Sequence, residues 1–346
     1  MSLNSIVENP NFKKSSLYKS FSKEPLGFID IGAAGGVHPL VTSFATLTHC
    51  TCFEPNITAY NELLNKYAKE KKFSKMTVFK SAVSNKKANE KLNITKNPTA
   101  SSLLKPSNEM FIRYNAAKTY QIKKTVSVKV DTLDQLILED KKLSSCVGEF
   151  IKMDCQGAEY YILEGAKRIL SERCVALYLE TEFFKIYKNQ KTFSEIDLFL
   201  RDKGFQLYAI YPHYISTKKL DRKKYDTEER VQWADVLYFK DYFGFEKNRR
   251  NYSSRDIEVL LIVSILTRFY DFAMEIIDQY YKNKSDYKLI KNLIIQRAEF
   301  DKKYIEDNVD NFIGEVTNFP EKKYLITKKF IDEIKSNNSV DFITTW

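Results

Sequence analysis

Phe28 to Ile31 is a short apolar run, interrupted by the carboxylate of Asp30, that passes straight into small residues, Gly32-Ala-Ala-Gly-Gly36. A strand closing on such a turn and continuing into the helix-patterned stretch Val37 to Leu47 makes a strand–turn–helix unit. Pro39 suits the first turn of that helix. The unit then recurs, and the recurrence limits the fold more than any other property of the chain.

Residues 48–55 (THCTCFEP) read as a second strand, Ile57 to Lys71 as a helix, and 77–84 (TVFKSAVS) as a third strand. An insertion follows: a strand at 88–95, a loop at 97–106, a helix at 108–118, and an alternating, half-exposed strand at 123–133. The pattern resumes with a strand at 149–154, a helix from Ala158 to Ser171 and a strand at 174–183. A helix from Thr192 to Lys203 stops at Gly204, and strands at 205–211 and 234–240 finish the series. This predicts an α/β fold with a mostly parallel sheet covered on both faces. The last two strands lack a helix between them, so one pairing there is expected to be antiparallel. Beyond Asn248, Ser254 to Lys282 and Tyr287 to Glu299 carry helical periodicity only. The expected organisation is a polar arm or short cap at 1–25, a main domain at 26–248, and a helical extension at 249–346.

Composition narrows the partners. The net charge is +10, yet the lysines are scattered among Asn, Ser and Glu, with no dense basic stripe, so no nucleic-acid partner is expected. Five cysteines without a C-x-x-C pair suggest buried free thiols and a reducing, cytoplasmic setting. The longest apolar run, Ile257 to Leu266, is about half a membrane span and reads as a buried helix. The first 16 residues contain no apolar signal core.

In a parallel α/β sheet, ligands lie beyond the C-terminal strand ends. Gly32, Ala33, Gly35 and Gly36 follow the first strand, where small residues allow a close approach to a ligand. Glu54 ends the second strand, and a carboxylate there suits a ribose diol. Both dinucleotides and S-adenosylmethionine carry such a ribose. Asp30 separates them: it would repel a pyrophosphate but attract a sulfonium and an ammonium. The alternative is that Asp30 caps the following helix. No G-K-[ST] follows, which excludes a P-loop.

These segments together resemble the FkbM-type methyltransferases, a class I S-adenosylmethionine-dependent family. The matching pieces are 28–39 (FIDIGAAGGVHP), 52–56 (CFEPN), 81–85 (SAVSN), 100–106 (ASSLLKP), 130–134 (VDTLD), 150–170 (FIKMDCQGAEYYILEGAKRIL) and 177–208. The resemblance spans roughly residues 26 to 240 and departs from the usual pattern at Gln156, where Glu is commoner. It implies a Rossmann-like, seven-stranded sheet with the last strand antiparallel. It implies methyl transfer, mostly to hydroxyls of sugars, glycans or related natural products. It places Asp30, Gly32 and Glu54 at the cofactor, Ser81 and Ala82 near the adenine, and Asp154 and Glu159 toward the methyl group and acceptor.

Asp154, at the end of the fourth strand, is the favoured base or acceptor anchor, with helix capping as its structural alternative. His38 is the competing base, and a backbone-bonded loop histidine is its alternative. Glu180 and Glu182 share one face of a strand. They are expected to bind substrate, and with Asp154 they also allow a divalent cation with oxygen ligands. His213 lies after the sixth strand, within reach of an acceptor. A homodimer through the C-terminal helices is a further expectation. The reading from another class is a catalytically degenerate cofactor-binding module that recruits a partner through those helices.

Overall fold

The computed structural model describes residues 3–114, 117–140, 143, 145–221, 224–225, 227–243 and 252–337. The boundary expected at 248–249 lies outside them.

Among the described residues, ten strands build two sheets. β1 (Leu26–Ile31), β2 (Thr48–Phe53), β3 (Lys75–Phe79), β7 (Phe150–Met153), β8 (Ala176–Glu182), β9 (Gln206–Ile215) and β10 (Arg230–Phe239) form the main sheet. Its order is β3-β2-β1-β7-β8-β10-β9. β10 runs antiparallel to both neighbours, and the remaining pairs are parallel, as the spacing of the elements predicts. β4 (Ala82–Val83), β5 (Ala88–Thr95) and β6 (Ile122–Asp131) form a small second sheet.

Alternation along the strands sets the two faces. Leu26 and Phe28 of β1 and Phe150 of β7 join one core, while Ile29, Ile31, Ile151 and Met153 join the other. The same alternation puts Asp30 and Lys152, two residues after Phe28 and Phe150, on the first face. That face is covered by the N-terminal segment and the C-terminal helices. Residues Pro10–Lys14 and Ser16–Lys23 form two helices that bury Phe12, Leu17 and Phe21 against Phe44 and the C-terminal helix Ser254–Leu266. Residues 3–25 thus take the form of a cap rather than a loose arm.

Every residue from Val259 to Leu266 is buried, as expected for a core helix. Each large apolar side chain placed there contributes roughly 1.5–3 kcal/mol relative to exposure. Arg255 ties this helix to the sheet: its Nε and Nη2 donate to Glu149 at 2.6 and 3.0 Å, and Nη2 also donates to Pro25 O at 3.0 Å. Glu149 in turn accepts the Gly27 N–H at 2.9 Å, at the start of β1. Among the described residues, no helix is long and apolar enough to cross a membrane, and all five cysteines are free.

Several elements differ from the sequence reading. The helix expected at Val37 to Leu47 is a 3-10 segment, Pro39–Leu47, kinked at Phe44. Most of its side chains are buried, so packing rather than an amphipathic stripe shapes it. The third strand ends at Phe79, and Ala82–Val83 leave the main sheet to pair with Val130–Asp131 of the insertion. The helix expected at Ala158 to Ser171 breaks at Gly165, and the one at Ser254 to Lys282 breaks at Arg268, which has a left-handed φ of 69°. The last helix expected extends to Tyr287–Asn318 and is followed by Lys323–Asn337.

Candidate active site

A cleft with about 930 Å³ of open space lies over the C-terminal ends of β1, β2 and β7. Gly32, Glu54 and Asp154 line its strand side, and Ser81, Ala82 and Ser101 of the insertion line the opposite wall. Gly32 permits the cleft to form. Its φ is 85°, and a Cβ there would fall 2.0 Å from the Asp154 carbonyl oxygen. The Gly32 N–H donates to Phe53 O at 3.2 Å, and the Asp154 N–H donates to Ile31 O at 3.1 Å, so the three strand ends are laced together under the turn. Ala33 is buried beneath it and accepts the Gly36 N–H at 3.1 Å.

Asp30 holds this turn from below. It is fully buried. Its Oδ2 accepts the His38 N–H at 2.8 Å, and its Oδ1 lies 3.3 Å from Lys152 Nζ. It does not line the cleft. The expectation that its charge directly faces a sulfonium is therefore corrected: Lys152 neutralises Asp30, and the carboxylate acts through the loop. Burial disfavours the Lys152 ammonium, but Asp30 and Asp154 outweigh that and hold it above the usual lysine range. Lys152 escaped the sequence reading, although a lysine inside the run Phe-Ile-Lys-Met is itself a signal that a buried carboxylate lies opposite.

Glu54 is 4% exposed, and its Oε1 accepts the Asn56 N–H at 2.7 Å. Burial pushes its carboxyl up to about 7, the Asn56 bond opposes that rise, and the charge of Asp30 adds to it. Ser81 and Ala82 line the cleft, and Ala82 belongs to β4 of the second sheet, with Ser81 just before it, rather than to the end of the third strand.

Asp154 is the strand-end carboxylate with access to the cleft, its side chain 39% exposed. Its Oδ2 lies 3.9 Å from Lys152 Nζ, and its Oδ1 accepts from Gln156 Nε2 at 2.9 Å. Gln156 Nε2 also donates to Glu180 Oε1 at 2.7 Å. The amide hydrogens point at both carboxylates, and N–H donors cannot face a cation. Among the described residues no acidic group is arranged to hold a metal ion, so the divalent-cation site considered for Asp154, Glu180 and Glu182 is not assembled.

The other candidates separate. Glu159 is 1% exposed, and its Oε1 accepts the Cys155 N–H at 2.6 Å. Burial lifts it to about 7. It braces the turn after β7 instead of facing an acceptor, which corrects its expected role. His38 Nδ1 accepts the Leu40 N–H at 3.3 Å, so the alternative of a backbone-bonded loop histidine describes its ring better than the base. Glu182 is buried, and burial raises both it and Glu180 well above the carboxylate range. Strand register aligns Glu182 with Trp233 and Trp233 with His213. The His213 ring stacks on Trp233 with centroids 3.5 Å apart, and its Nε2 lies 3.7 Å from Asp235. Tyr187 donates its hydroxyl toward Gln156 Oε1 and Ala100 O, each at 3.1 Å, and links the insertion to the acidic cluster.

No curated protein matches the chain. Among solved structures, it is similar to the FkbM methyltransferase of Methylobacillus flagellatus KT, at 16% identity and a TM-score of 0.37, over 62% of this chain and 43% of that one. The chain thus spans under half the length of that protein. It is similar at 10% identity and a TM-score of 0.31 to the magnesium protoporphyrin IX methyltransferase of Synechocystis PCC 6803 with bound SAM, over 65% of this chain and 74% of that one. It is similar at 12% identity and a TM-score of 0.32 to TrmK of M. capricolum in complex with S-adenosyl-homocysteine, over 84% of this chain and 97% of that one. The model of the methyltransferase FkbM domain matches residues 30–207, more than half of the chain and the span that carries the glycine turn, Glu54 and the Asp154 cluster, so the chain belongs to the FkbM methyltransferase family.

Proposed function

We propose that the protein is an S-adenosylmethionine-dependent O-methyltransferase acting on a hydroxyl of a sugar, glycan or related natural product. The carrying observation is the cleft itself: Glu54 and Asp154 both line it beside the Gly32 turn, which lacks the G-K-[ST] of a phosphate-binding loop. The residues fit the cofactor. Gly32 leaves room for close contact, the Glu54 carboxylate matches a ribose diol, and Ser81 and Ala82 offer a wall for the base. When bound, S-adenosylmethionine supplies an electrophilic methyl group and departs as the thioether S-adenosylhomocysteine.

Asp154 takes the acceptor proton as the oxygen bonds to the methyl carbon, and proton removal of this kind accelerates transfer by about 10²–10⁴-fold. The polar lining supports a neutral polyol: Asp154, Thr99 and Ser101 face the cleft and offer hydrogen-bond partners for hydroxyl groups. The test is transfer of labelled methyl from S-adenosylmethionine to a panel of monosaccharides and oligosaccharides. Wild type is expected to label a sugar and Asp154→Asn to lose at least about a hundredfold in rate. Labelling of RNA or protein with no sugar product would overturn the reading.

A further inference from the structure

Gln156 sits between the cleft and the carboxylates of β8 in a conformation that costs energy. Its φ is 56°, in the left-handed region that favours glycine, and it precedes Gly157 at φ 90°. A Cβ on Gly157 would fall 2.7 Å from Gln190 Nε2 and 2.9 Å from Tyr187 Cδ2, so packing shuts the turn and holds Gln156 in place. From there its amide reaches three groups. The two N–H bonds go to Asp154 Oδ1 at 2.9 Å and Glu180 Oε1 at 2.7 Å, and Oε1 accepts from the Tyr187 hydroxyl at 3.1 Å. Chemistry fixes this orientation, because a flipped amide would set its oxygen against two carboxylates. Lys152 is the nearby cation, and Asp30 already shares it.

We propose that Gln156 positions Asp154: its amide bridges Asp154 Oδ1 to Glu180, does the work of a bound cation there, and leaves Oδ2 as the oxygen that receives the acceptor proton. This rests on Asp154 as the base. Asp30 of β1, Tyr120, Lys152 of β7, Cys155, Glu159 of the following helix, Glu180 and Glu182 of β8, Tyr187 and Asp235 of β10 are ionisable groups around the bridge. With an acidic side chain at 156, three carboxylates would converge, and a proton or a divalent cation would have to replace the lost donors.

The test uses the full chain without ligand: melting temperature from pH 5 to 8 for wild type, Gln156→Glu and Gln156→Gly, each with and without MnCl2. Gln156→Glu is expected to melt below wild type by a gap that widens as pH rises, and Mn2+ is expected to close that gap while leaving wild type unchanged. Gln156→Gly, which relieves the backbone strain and so keeps the test open if Gln156→Glu fails to fold, is also expected to fall further below wild type as pH rises. A gap independent of pH, no response of Gln156→Glu to Mn2+, or Gln156→Gly melting above wild type throughout would overturn the bridge. Calorimetric binding of S-adenosylhomocysteine to wild type separates the two ideas: its failure would contradict the cofactor reading and leave the melting data to judge Gln156.

Discussion

Asp30 and Lys152 are register partners on adjacent parallel strands, their charged atoms 3.3 Å apart and both side chains shut away from water beneath the glycine turn. Removing one partner of a buried pair strands the other. Lys152→Met is therefore expected to lower stability by about 3–5 kcal/mol, and Asp30→Ala by a similar amount. The double variant Asp30→Asn/Lys152→Met should recover part of the loss. Urea denaturation measures all three, and single variants within about 0.5 kcal/mol of wild type would show that the pair is not buried in solution.

The proposed contact of Glu54 with the ribose predicts a pH dependence of cofactor binding. In the free protein burial holds its carboxyl at about 7. Ribose hydroxyls bind the ionised form, so affinity is expected to rise as pH increases through 7 and to level off above it, with a loss approaching tenfold per unit on the acid side. Calorimetric affinities for S-adenosylhomocysteine between pH 5.5 and 8.5 measure the slope, and Glu54→Gln should flatten it. A flat wild-type profile would contradict this role.

Glu159 acts on stability in the opposite sense to a salt-bridged carboxylate. Its folded value of about 7 lies above the ordinary 4.5, so the folded state holds the proton more tightly than the unfolded state. Its contribution is complete below pH 4.5 and is lost as pH rises through 7. Stability is expected to decline between pH 5 and pH 8, less steeply in Glu159→Gln. Denaturant midpoints across that range check the sign, and an identical slope in the variant would assign the decline to other groups.

Arg255 and Glu149 join the C-terminal helix Ser254–Leu266 to the first strand through two short hydrogen bonds. Arg255→Met should leave Glu149 buried without its cation and cost about 3–5 kcal/mol. Thermal unfolding checks this, and a loss under about 1 kcal/mol would mean that the extension contributes little to the sheet.

The chain announces its sheet clearly, because each strand is a short apolar run bounded by small or polar residues. Gly32 and Glu54 are legible as neighbours in one cleft for the same reason: they stand at strand ends, where position along the sequence fixes position in the fold. What stays hidden depends on contacts between distant segments. Asp30 reads as a cofactor contact until Lys152, on a strand far along the chain, is seen to neutralise it. Glu159 reads as a catalytic neighbour of Asp154, yet the turn at Gln156 and Gly157 swings it inward to the Cys155 N–H. Gln156 reads as a departure from the family pattern, and only its distances to Asp154, Glu180 and Tyr187 give it work to do. The 3-10 form of Pro39–Leu47 is likewise invisible beforehand, since burial on most sides erases the period that would distinguish it from an α-helix.

Calorimetric titration of the full chain with S-adenosylmethionine, S-adenosylhomocysteine and NAD tests the account most directly. The expected result is binding of the first two, weakened by Glu54→Gln, with no heat from NAD. Binding of NAD in preference to both would contradict it, because a pyrophosphate would then occupy the turn above Asp30 and the cleft would belong to a dinucleotide.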